Sequence, residues 1–468
     1  MTFLARAPLL PVLAAWSFSL VVFDLTASCL AALAGALLAV VGLLCLGGMS
    51  RERPWPALAL AIIGLSLAGP VLFCFRLAAP SLPSFVSGEG KVLLERSWGG
   101  RRLVVVDVSE LRLVSFVPAR RTVAAGSRLD LEGKVLPLRG PRDGETFDFS
   151  RWARARGIIG EFSPSRWDLL SGGSGWHRWR GALEERLLLN LPPLVRGHLL
   201  AAWLGLRDPD LAESHRRWGT AHLLAVSGFH VGLVAAAVLV LTGSRREGLV
   251  LPSLALWAYV LLAGAAASAL RAALMIQLYL VGRRLGRPGG GINAVALAGL
   301  LLLAWRPWWF WDVGWRLSMT AALTLAALPE NLGARSFLLA GPAVWLTTAP
   351  LSAGTFGAVP LAGLVLNLAA LPLFGLLLPL ASVAALPALW GWAGGPIVAT
   401  FAEDLFAFWA WAADGVVRFV PALVAPSALL FSAAFFVFFL LLFRKVGLPS
   451  PAALGGATSL ALFCSLLS

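Results

Sequence analysis

Long apolar stretches without a charged residue alternate with short charged breaks along most of this chain. Near the N-terminus they cover residues 7–23, 25–50 and 54–75, and each is near or above the about 20 residues that a membrane-spanning helix needs. Further uncharged runs lie at 218–244, 248–270, 288–305, 336–402, 419–443 and 446–468. The pattern predicts a polytopic α-helical membrane protein with about ten or eleven membrane segments.

Prolines interrupt several of these predicted segments. They are Pro342, Pro350, Pro360, Pro372 and Pro379. Broken segments are tolerated in a membrane where the loosened backbone lines a cavity or packs against neighbouring helices. Their density therefore favours a channel or a transporter over a simple membrane anchor.

Residues 81–180 follow a different pattern, in which apolar and polar side chains alternate with a period of two. The alternation is clearest at 103–108, 111–117 and 129–135, and glycine-containing turns separate or flank these stretches. It predicts about five short strands in a small inserted all-β domain, either an OB-like barrel or a small sandwich. The predicted domains are N-terminal transmembrane helices (1–80), the OB-like β domain (81–180), amphipathic or surface helices (181–218) and a transmembrane channel domain (219–468).

The composition excludes an ordinary soluble protein. Of 468 residues, 59% are hydrophobic and only 13% are charged, whereas a soluble protein carries about 25% charged residues. The net charge is +14, and residues 81–180 contribute 17 basic and 11 acidic side chains. Arg51 and Arg53 lie in a short loop, which predicts a cytoplasmic loop and places the β domain on the extracytoplasmic side.

The cysteines and histidines do not form a recognisable metal motif. Cys29, Cys45, Cys74 and Cys464 all lie in apolar stretches, so we expect buried small side chains, no disulfide framework and no cysteine metal site. The five histidines form no HxH or HExxH pattern. The sequence therefore predicts neither a bound metal nor a cofactor.

The densest polar group in apolar surroundings lies in GTAHLLAVSGFHVG, residues 219–232. A continuous helix would place His222 and His230 about 80° apart, on one side and two turns apart. Gly228 and Gly232 form a GxxxG pair that permits close helix packing. Two imidazoles and the Ser227 hydroxyl are costly at membrane depth unless they face a pore or hydrogen-bond to another helix, and both roles stay open.

Three further polar residues lie in apolar surroundings. Arg271 lies within SALRAALM (268–275), where a buried guanidinium needs an anion, a carboxylate or a route to the interface. Arg316 belongs to a tryptophan-rich stretch, 305–318, which is typical of an interfacial aromatic belt and alternatively of a path that stacks bases. Asn367 is the only amide side chain in 336–402, so we expect it to face the interior.

The sequence of residues 222–232, HLLAVSGFHVG, resembles the signature HLLAISGLHVG of the ComEC family of competence channels. Residues 268–275 resemble the family's S-x-x-R-A-x-x-M segment, and 350–373 resemble its P-x-x-x-x-F-G … N-x-x-x-x-P region. Residues 147–158 are similar to F-D-Y-x-x-Y-L-x-x-x-G-I at the end of its OB-like domain. In WRLS (315–318), Arg316 departs from the family's G-F-x-L-S-F element.

The resemblance implies an inner-membrane channel that translocates single-stranded DNA into the cytoplasm during natural transformation. Its implied partners are single-stranded DNA, the lipid bilayer, a competence DNA receptor, a helicase-like ATPase and a separate nuclease, and the channel is compatible with a homo-oligomer. Many members carry a C-terminal metallo-β-lactamase-like domain, whereas this chain has no HxHxDH motif. We therefore expect the short form, which is not an enzyme.

The candidate residues of the DNA path form one set. They are His222, Ser227, His230, Arg271, Arg316 and Asn367, with Gly228 and Gly232 in helix packing. Two alternative functions remain. One is transport of another substrate, a lipid or a peptide, on the same fold. The other is an intramembrane serine hydrolase that uses Ser227 and His230, although no acidic partner is evident.

Overall fold

The computed structural model of the protein is mostly helical and divides into two compact units. It describes residues 7–48, 56–77, 82–98, 100–118, 123–141, 148–173, 175–242, 249–286, 291–329, 335–392, 395–445 and 457–458. One unit, which we name the barrel unit, comprises Leu77–Leu189 and Arg306–Asp312. The other, the helical unit, comprises Met1–Arg76, Asn190–Trp305 and Val313–Ser468.

Three apolar helices begin the described chain: α1 (Leu9–Thr26), α2 (Cys29–Gly48) and α3 (Pro56–Leu77). The indole N–H of Trp16 in α1 donates a hydrogen bond of 2.9 Å to the Leu65 carbonyl in α3. The Trp16 ring also meets Phe73 edge to face, with ring centroids 5.4 Å apart. A buried indole therefore has its polar atom satisfied, and its ring fastens α1 to α3.

A disulfide joins Cys29 to Cys74, with Cα atoms 5.9 Å apart. The sequence-based expectation that these cysteines are isolated small apolar side chains is therefore wrong. Cys29 begins α2 and Cys74 lies near the end of α3, so helix packing brings together residues that are 45 positions apart. The short loop with Arg51 and Arg53 lies outside the described residues.

The barrel unit contains five strands: β1 (Phe85–Trp98), β2 (Arg101–Val108), β3 (Leu111–Pro118), β4 (Arg128–Pro137) and β5 (Gly160–Ser171). They form a closed barrel in the order β1-β2-β3-β5-β4, with β4 paired to β1. The β3–β5 pair is parallel and the other pairs are antiparallel. The predicted β domain is thus a closed barrel rather than a sandwich, and closure leaves no unpaired sheet edge.

Strand β2 buries both of its faces, which explains four consecutive apolar residues in an otherwise alternating pattern. Val104 and Val106 belong to the core inside the barrel. Leu103 and Val105 belong to a second apolar cluster, which includes Ala153 of helix α4 (Phe149–Ala155). A strand with both faces covered loses the polar alternation that a half-exposed strand shows.

Helix α4 is held at both ends by its own residues. Asp148 caps its N-terminus, because the carboxylate accepts a 3.0 Å hydrogen bond from the Arg151 N–H. At the other end Gly157 has a φ of 75°, and the N–H groups of Gly157 and Ile158 donate to the carbonyls of Arg154 and Ala153. This is a Schellman motif, and it places glycine where an L side chain would be strained.

The barrel unit also contains helix α5 (Gly175–Asn190) up to Leu189, and a distant segment, Arg306–Asp312. Most of that segment is a 3₁₀ helix over Pro307–Trp311, which packs against α4. Trp309 and Trp311 are buried. An interfacial belt would leave these two rings exposed, which they are not, whereas Trp305 of the same stretch is 49% exposed.

Eleven helices follow in the described part of the helical unit. They are α6 (Pro193–Leu199), α7 (Pro209–Trp218), α8 (Gly228–Thr242), α9 (Val250–Leu262), α10 (Ala267–Arg284), α11 (Gly291–Trp305), α12 (Val313–Ala327), α13 (Arg335–Phe356), α14 (Ala362–Leu389), α15 (Gly395–Phe419) and α16 (Ala428–Lys445). A π-helical turn (Leu200–Leu204), a 3₁₀ turn (Ala221–Leu224) and one short strand pair, β6 (Val359–Pro360) with β7 (Leu423–Val424), complete this part.

Prolines do not break the helices where the sequence predicted breaks. Helix α13 continues through Pro342 and Pro350, and α14 continues through Pro372 and Pro379. Among the five prolines singled out above, Pro360 alone lies between helices. Each proline removes a single N–H, and neighbouring helices compensate for that loss in tightly packed apolar surroundings.

Three described helical stretches are long and apolar enough to cross a membrane: Leu9–Thr26, Leu58–Leu77 and Ala362–Leu389. Shorter apolar helices lie at Cys29–Val41, Gly228–Leu241, Val250–Leu262, Ala267–Gly282 and Gly291–Trp305. These stretches coincide with several of the uncharged runs in the sequence.

Candidate functional site

The polar stretch 219–232 begins at the end of α7, and glycine makes that end possible. Gly219 has a φ of 72°. Its N–H donates to the Arg216 carbonyl at 3.1 Å, and the Thr220 N–H donates to the His215 carbonyl at 2.9 Å. This second Schellman motif turns the chain out of α7.

The backbone of Gly219 lies directly against the start of α14. A Cβ placed on Gly219 would approach the Gly363 Cα to 2.8 Å, and one placed on Gly363 would lie 3.0 Å from the Gly219 carbonyl oxygen. Asn367, one turn further along α14, donates from Nδ2 to that same carbonyl at 3.4 Å. Two glycines and one amide therefore fix the entrance of the segment.

The segment then breaks between its two histidines. A 3₁₀ turn covers Ala221–Leu224, and α8 starts only at Gly228. His222 is exposed, whereas His230 is 3% exposed. The prediction that both lie two turns apart on one helix is therefore wrong, because the chain is irregular at 225–227.

Ser227 and His230 form a helix cap. Ser227 precedes α8, and His230 is the third residue of that helix. The imidazole Nδ1 accepts from the Ser227 N–H at 3.4 Å and lies 3.1 Å from the Ser227 Oγ. A capping box has this arrangement, with the side chain of the third helical residue returning to the backbone N–H of the cap.

Helix α10 contacts this break through small side chains. The Ser268 hydroxyl donates to the Val226 carbonyl, and a Cβ on Gly228 would lie 3.5 Å from the Ala272 Cβ. Gly228 thus lies close to the surface of α10. At Gly232 no atom lies within 4 Å of the position of an added Cβ in the described structure, so close packing does not extend to that glycine.

Arg271 of α10 is buried beside the break, with 1% of its surface exposed. Its Nη1 donates to the Trp315 carbonyl of α12 at 3.4 Å, and its Nη2 donates to the Ser268 carbonyl at 3.5 Å. Both bonds are long compared with the about 2.9 Å of a typical N–H···O bond. The guanidinium therefore links α10 to α12.

Two buried polar atoms in this region have no hydrogen-bond partner among the described residues, His230 Nε2 and Asn367 Oδ1. Since Nδ1 of His230 accepts from Ser227, Nε2 carries the proton in this neutral tautomer. A buried donor and a buried acceptor of this kind are normally satisfied by water or by a ligand. The arrangement can accommodate a polar solute inside an apolar helical unit.

The predicted site residues thus fall into two groups. Ser227, His230 and Arg271 flank the break, and Asn367 holds its entrance. His222 is exposed on the 3₁₀ turn, and Arg316 is half-buried on α12, adjacent in sequence to the Arg271 partner Trp315. Among the described residues, no group of three or more histidine, cysteine, aspartate or glutamate side chains is arranged to hold a metal ion.

A buried histidine pair lies before the motif and was not predicted as a site. The Nε2 atoms of His198 and His215 are 3.2 Å apart, and His215 Nδ1 lies 2.9 Å from the Thr220 hydroxyl. The His198 ring stacks on Phe406, with centroids 4.0 Å apart. Burial lowers the pKa of His198 to about 4 and also depresses the pKa of His215, so both rings stay neutral near pH 7.

The sequence contains no strong signal for this pair. His198 and His215 lie in short helices that lack the length of a spanning segment. Only their packing against α14 and α15 makes them buried, and sequence spacing does not reveal that packing. The Glu403 carboxylate of α15 accepts from the N–H groups of Leu194 and Val195, at 2.9 and 2.8 Å, and so caps α6.

The helical unit thus combines apolar helices of spanning length with a polar segment that is broken before α8. A family model described as "Competence protein" matches residues 204–447, which is more than half of the chain and includes the whole site. The chain therefore belongs to the ComEC family of competence proteins.

Two curated proteins are similar to this chain. ComE operon protein 3 of Bacillus subtilis (strain 168) is 34% identical over 142 residues, which is 29% of this chain and 18% of that protein. Competence protein ComA of Neisseria gonorrhoeae is 29% identical over 214 residues, which is 41% of this chain and 29% of that protein. The matched segments thus span less than a third of either relative. No solved structure matches the chain significantly.

Proposed function

We propose that this protein is an inner-membrane channel that translocates single-stranded DNA into the cytoplasm during natural transformation. Membership of the competence family supports this function. The structural observation that carries it is the buried guanidinium of Arg271 beside the break that precedes α8. Arginine is well suited to bind phosphate groups, and its burial here places a positive charge next to the broken polar segment.

The polar atoms around Arg271 support a path for a hydrated strand. His230 Nε2 offers a buried donor, and Asn367 Oδ1 offers a buried acceptor. A strand in transit presents phosphate oxygens and base edges, which need partners of both kinds. Under this proposal Ser227 positions His230, and His222 and Arg316 lie along the approach to the break.

We further propose that the chain spans the inner membrane many times, with about ten or eleven segments, and that the barrel is OB-like and extracytoplasmic. The three spanning-length stretches and the five shorter apolar helices support the membrane assignment. The strand order β1-β2-β3-β5-β4 supports the OB-like assignment. Its partners would be a DNA receptor, a helicase-like ATPase, a separate nuclease and other copies of the chain.

Uptake of labelled DNA tests the channel proposal. A deletion strain should lose transformation, and the wild-type chain should restore it. Arg271→Ala should lower transformation by about tenfold or more, as expected for the loss of at least about 1.4 kcal/mol of interaction, while Arg271→Lys should retain most of it. Normal uptake and integration of labelled DNA in the deletion strain would refute the channel.

A matched control separates loss of function from loss of folding. Arg178 lies exposed on α5, so Arg178→Ala should leave transformation unchanged. Membrane levels and thermal midpoints of all variants should be measured in parallel. Arg271→Lys could lose transformation as completely as Arg271→Ala at normal protein levels. In that case the positive charge is not sufficient, and the hydrogen bonds of the guanidinium to Ser268 and Trp315 are required.

The contact between Ser227 and His230 favours a second candidate, an intramembrane serine hydrolase. The Ser227 Oγ lies 3.1 Å from the imidazole, which is the distance expected of a nucleophile and its base. The Nε2 atom has no hydrogen-bond partner among the described residues, so no orienting carboxylate is in place there. Labelling of the purified protein by a fluorophosphonate serine probe, abolished in Ser227→Ala, would replace the channel by the hydrolase.

A transporter for a lipid or a peptide on the same fold is the third alternative. Such a protein would leave DNA uptake intact when deleted, so the transformation assay distinguishes it from the channel. In that case oligonucleotides would not bind to the purified protein, and Arg271→Ala would not change their binding.

A further inference from the structure

An arginine cluster on the barrel unit surrounds the exposed glycine that ends α4. A Cβ placed on Gly157 would lie 3.3 Å from Nη1 of Arg112 and 3.9 Å from Nη1 of Arg306. Arg112 extends from strand β3, whereas Arg306 comes from the distant segment Arg306–Asp312. The fold of the barrel unit thus brings two guanidinium groups to within 4 Å of one point beside Gly157.

A third guanidinium belongs to the same cluster. Nη1 of Arg112 donates to the carbonyl of Arg156, the residue before Gly157, at 3.0 Å. The Arg156 guanidinium stacks over Trp152 at 4.1 Å from the ring centroid. Nη1 of Arg156 also donates to the Trp152 carbonyl at 3.1 Å. Stacking uses the face of the guanidinium, so its other in-plane N–H groups are directed sideways, where a phosphate can accept them.

Two carboxylates lie near Arg112 and Arg156 of this cluster. Asp107 lies 4.0 Å from Arg112, and Asp312 lies 3.6 Å from Arg156. Both distances exceed the about 2.8 Å of a charge-assisted hydrogen bond. Nε of Arg112 is buried and donates to no acceptor among the described residues. Burial, followed by the charge of Arg112, lowers the pKa of Arg306, which agrees with two cations held close together.

We propose that Arg112, Arg156 and Arg306 form a phosphate-binding site around Gly157 that holds the backbone of single-stranded DNA. Gly157 leaves room for a ligand oxygen to approach the guanidinium groups, because a side chain there would occupy the space between them. The choice of DNA as the ligand rests on the proposed function, whereas the affinity for phosphate rests on the cluster alone.

A nucleic acid strand suits the surroundings better than a single anionic headgroup. Arg154 lies 4.8 Å above the ring of Trp308, next to the cluster, and Arg96 lies 6.0 Å above Trp98. Basic groups interleaved with aromatic rings over an extended surface are typical of proteins that bind single strands through backbone charges and base stacking. One headgroup would engage only two or three of these arginines.

Binding of a fluorescein-labelled oligothymidylate to the purified full chain in a neutral detergent tests the site. Fluorescence anisotropy at several salt concentrations gives the affinity and its salt dependence. Arg306→Gln should weaken binding by about fivefold to tenfold, and the slope of log K against log salt should decrease by about 0.7 for a lost phosphate contact on a single strand. Arg112→Gln/Arg306→Gln should weaken binding further.

The control Arg178→Gln removes the same charge from an exposed position on α5 and should bind within about twofold of wild type. Arg112 also supports the Arg156 carbonyl, so Arg112→Gln can disturb the loop, and Arg306→Gln is the decisive variant. A thermal midpoint equal to that of wild type confirms folding. Wild-type affinity and an unchanged salt slope in folded Arg306→Gln would overturn the proposal.

Vesicle-binding and transformation assays distinguish failure of the arginine site, of the DNA assignment and of the proposed channel function. If Arg306→Gln loses binding to vesicles of anionic phospholipid while oligothymidylate binding is unchanged, the ligand is a headgroup and the DNA assignment is wrong. If the deletion strain takes up DNA normally, the channel function fails whatever the anisotropy shows. If that strain loses uptake but Arg306→Gln binds normally, the function stands and this site does not.

Discussion

Gly219 and Gly232 belong to one motif but face opposite constraints. Gly219 has a φ of 72° and a neighbouring backbone 2.8 Å from where its Cβ would lie, whereas Gly232 has open space there and lies inside α8. Gly219→Ala should lower the free energy of unfolding by more than about 1 kcal/mol. Gly232→Ala should raise it by about 0.5–1 kcal/mol through helix propensity.

Thermal midpoints in one detergent measure this contrast, and the two substitutions serve as controls for each other. Equal shifts of the same sign would contradict the assignment of Gly219 to a left-handed turn against α14. The transformation frequency should decrease for Gly219→Ala and not for Gly232→Ala, because the turn at Gly219 fixes the entrance of the broken segment.

The two roles considered for Ser227, helix cap and nucleophile, predict different effects of substituting this residue. Ser227→Ala removes the hydroxyl that contacts His230 Nδ1 at the start of α8 and should cost about 1 kcal/mol, whereas Ser227→Asn keeps a side chain suited to the N-cap position and should cost little. Transformation should accordingly persist in Ser227→Asn. An activity lost equally in both variants, at equal thermal midpoints, would favour the nucleophile.

At the scale of elements, the buried pair His198–His215 couples α6 and α7 to pH. Both pKa values are depressed in the folded chain, so both rings are neutral there while the unfolded chain titrates near its ordinary value of 6.5. As pH falls below about 6.5 the unfolded chain binds protons that the folded chain excludes, and stability decreases until pH approaches the folded pKa values. Above about pH 7 the pair contributes no pH dependence.

The expected slope is up to about 1.4 kcal/mol per pH unit for each histidine. Thermal midpoints measured between about pH 7 and pH 5 test it. The variant His198→Gln/His215→Gln should show a flatter profile, and Arg178→Gln, at an exposed position on α5, should retain the wild-type profile. A wild-type midpoint that is constant across this range would contradict a neutral buried pair.

Sequence patterns predict elements here better than they predict contacts. Charge-free runs locate apolar helices, and period-two alternation locates β1 to β5, because both signals arise from which side of an element is buried. Prolines mislead in α13 and α14, since packing compensates for the missing N–H groups. The break before α8 escapes prediction because a helical period fits its residues equally well.

At the scale of the whole molecule, the decisive contacts join residues far apart in the chain. The Cys29–Cys74 disulfide, the Asn367–Gly219 hydrogen bond and the Arg271–Trp315 hydrogen bond link separate helices. The segment Arg306–Asp312 belongs to a barrel whose strands end more than a hundred residues earlier. Local periodicity carries no information about such pairings, so the sequence identified the polar residues without identifying their partners.

The proposed function requires the barrel to lie outside the cytoplasm, and fusions to a reporter enzyme can test this membrane topology. Residues 81–180 carry 17 basic and 11 acidic groups, yet long domains cross the membrane largely regardless of charge. Alkaline phosphatase inserted after Gly140, an exposed position following β4, should therefore be active. A fusion after Lys445, at the end of α16, should be inactive if Arg444 and Lys445 follow the positive-inside rule. The reverse pattern would place the arginine cluster on the cytoplasmic side, where it could not collect incoming DNA.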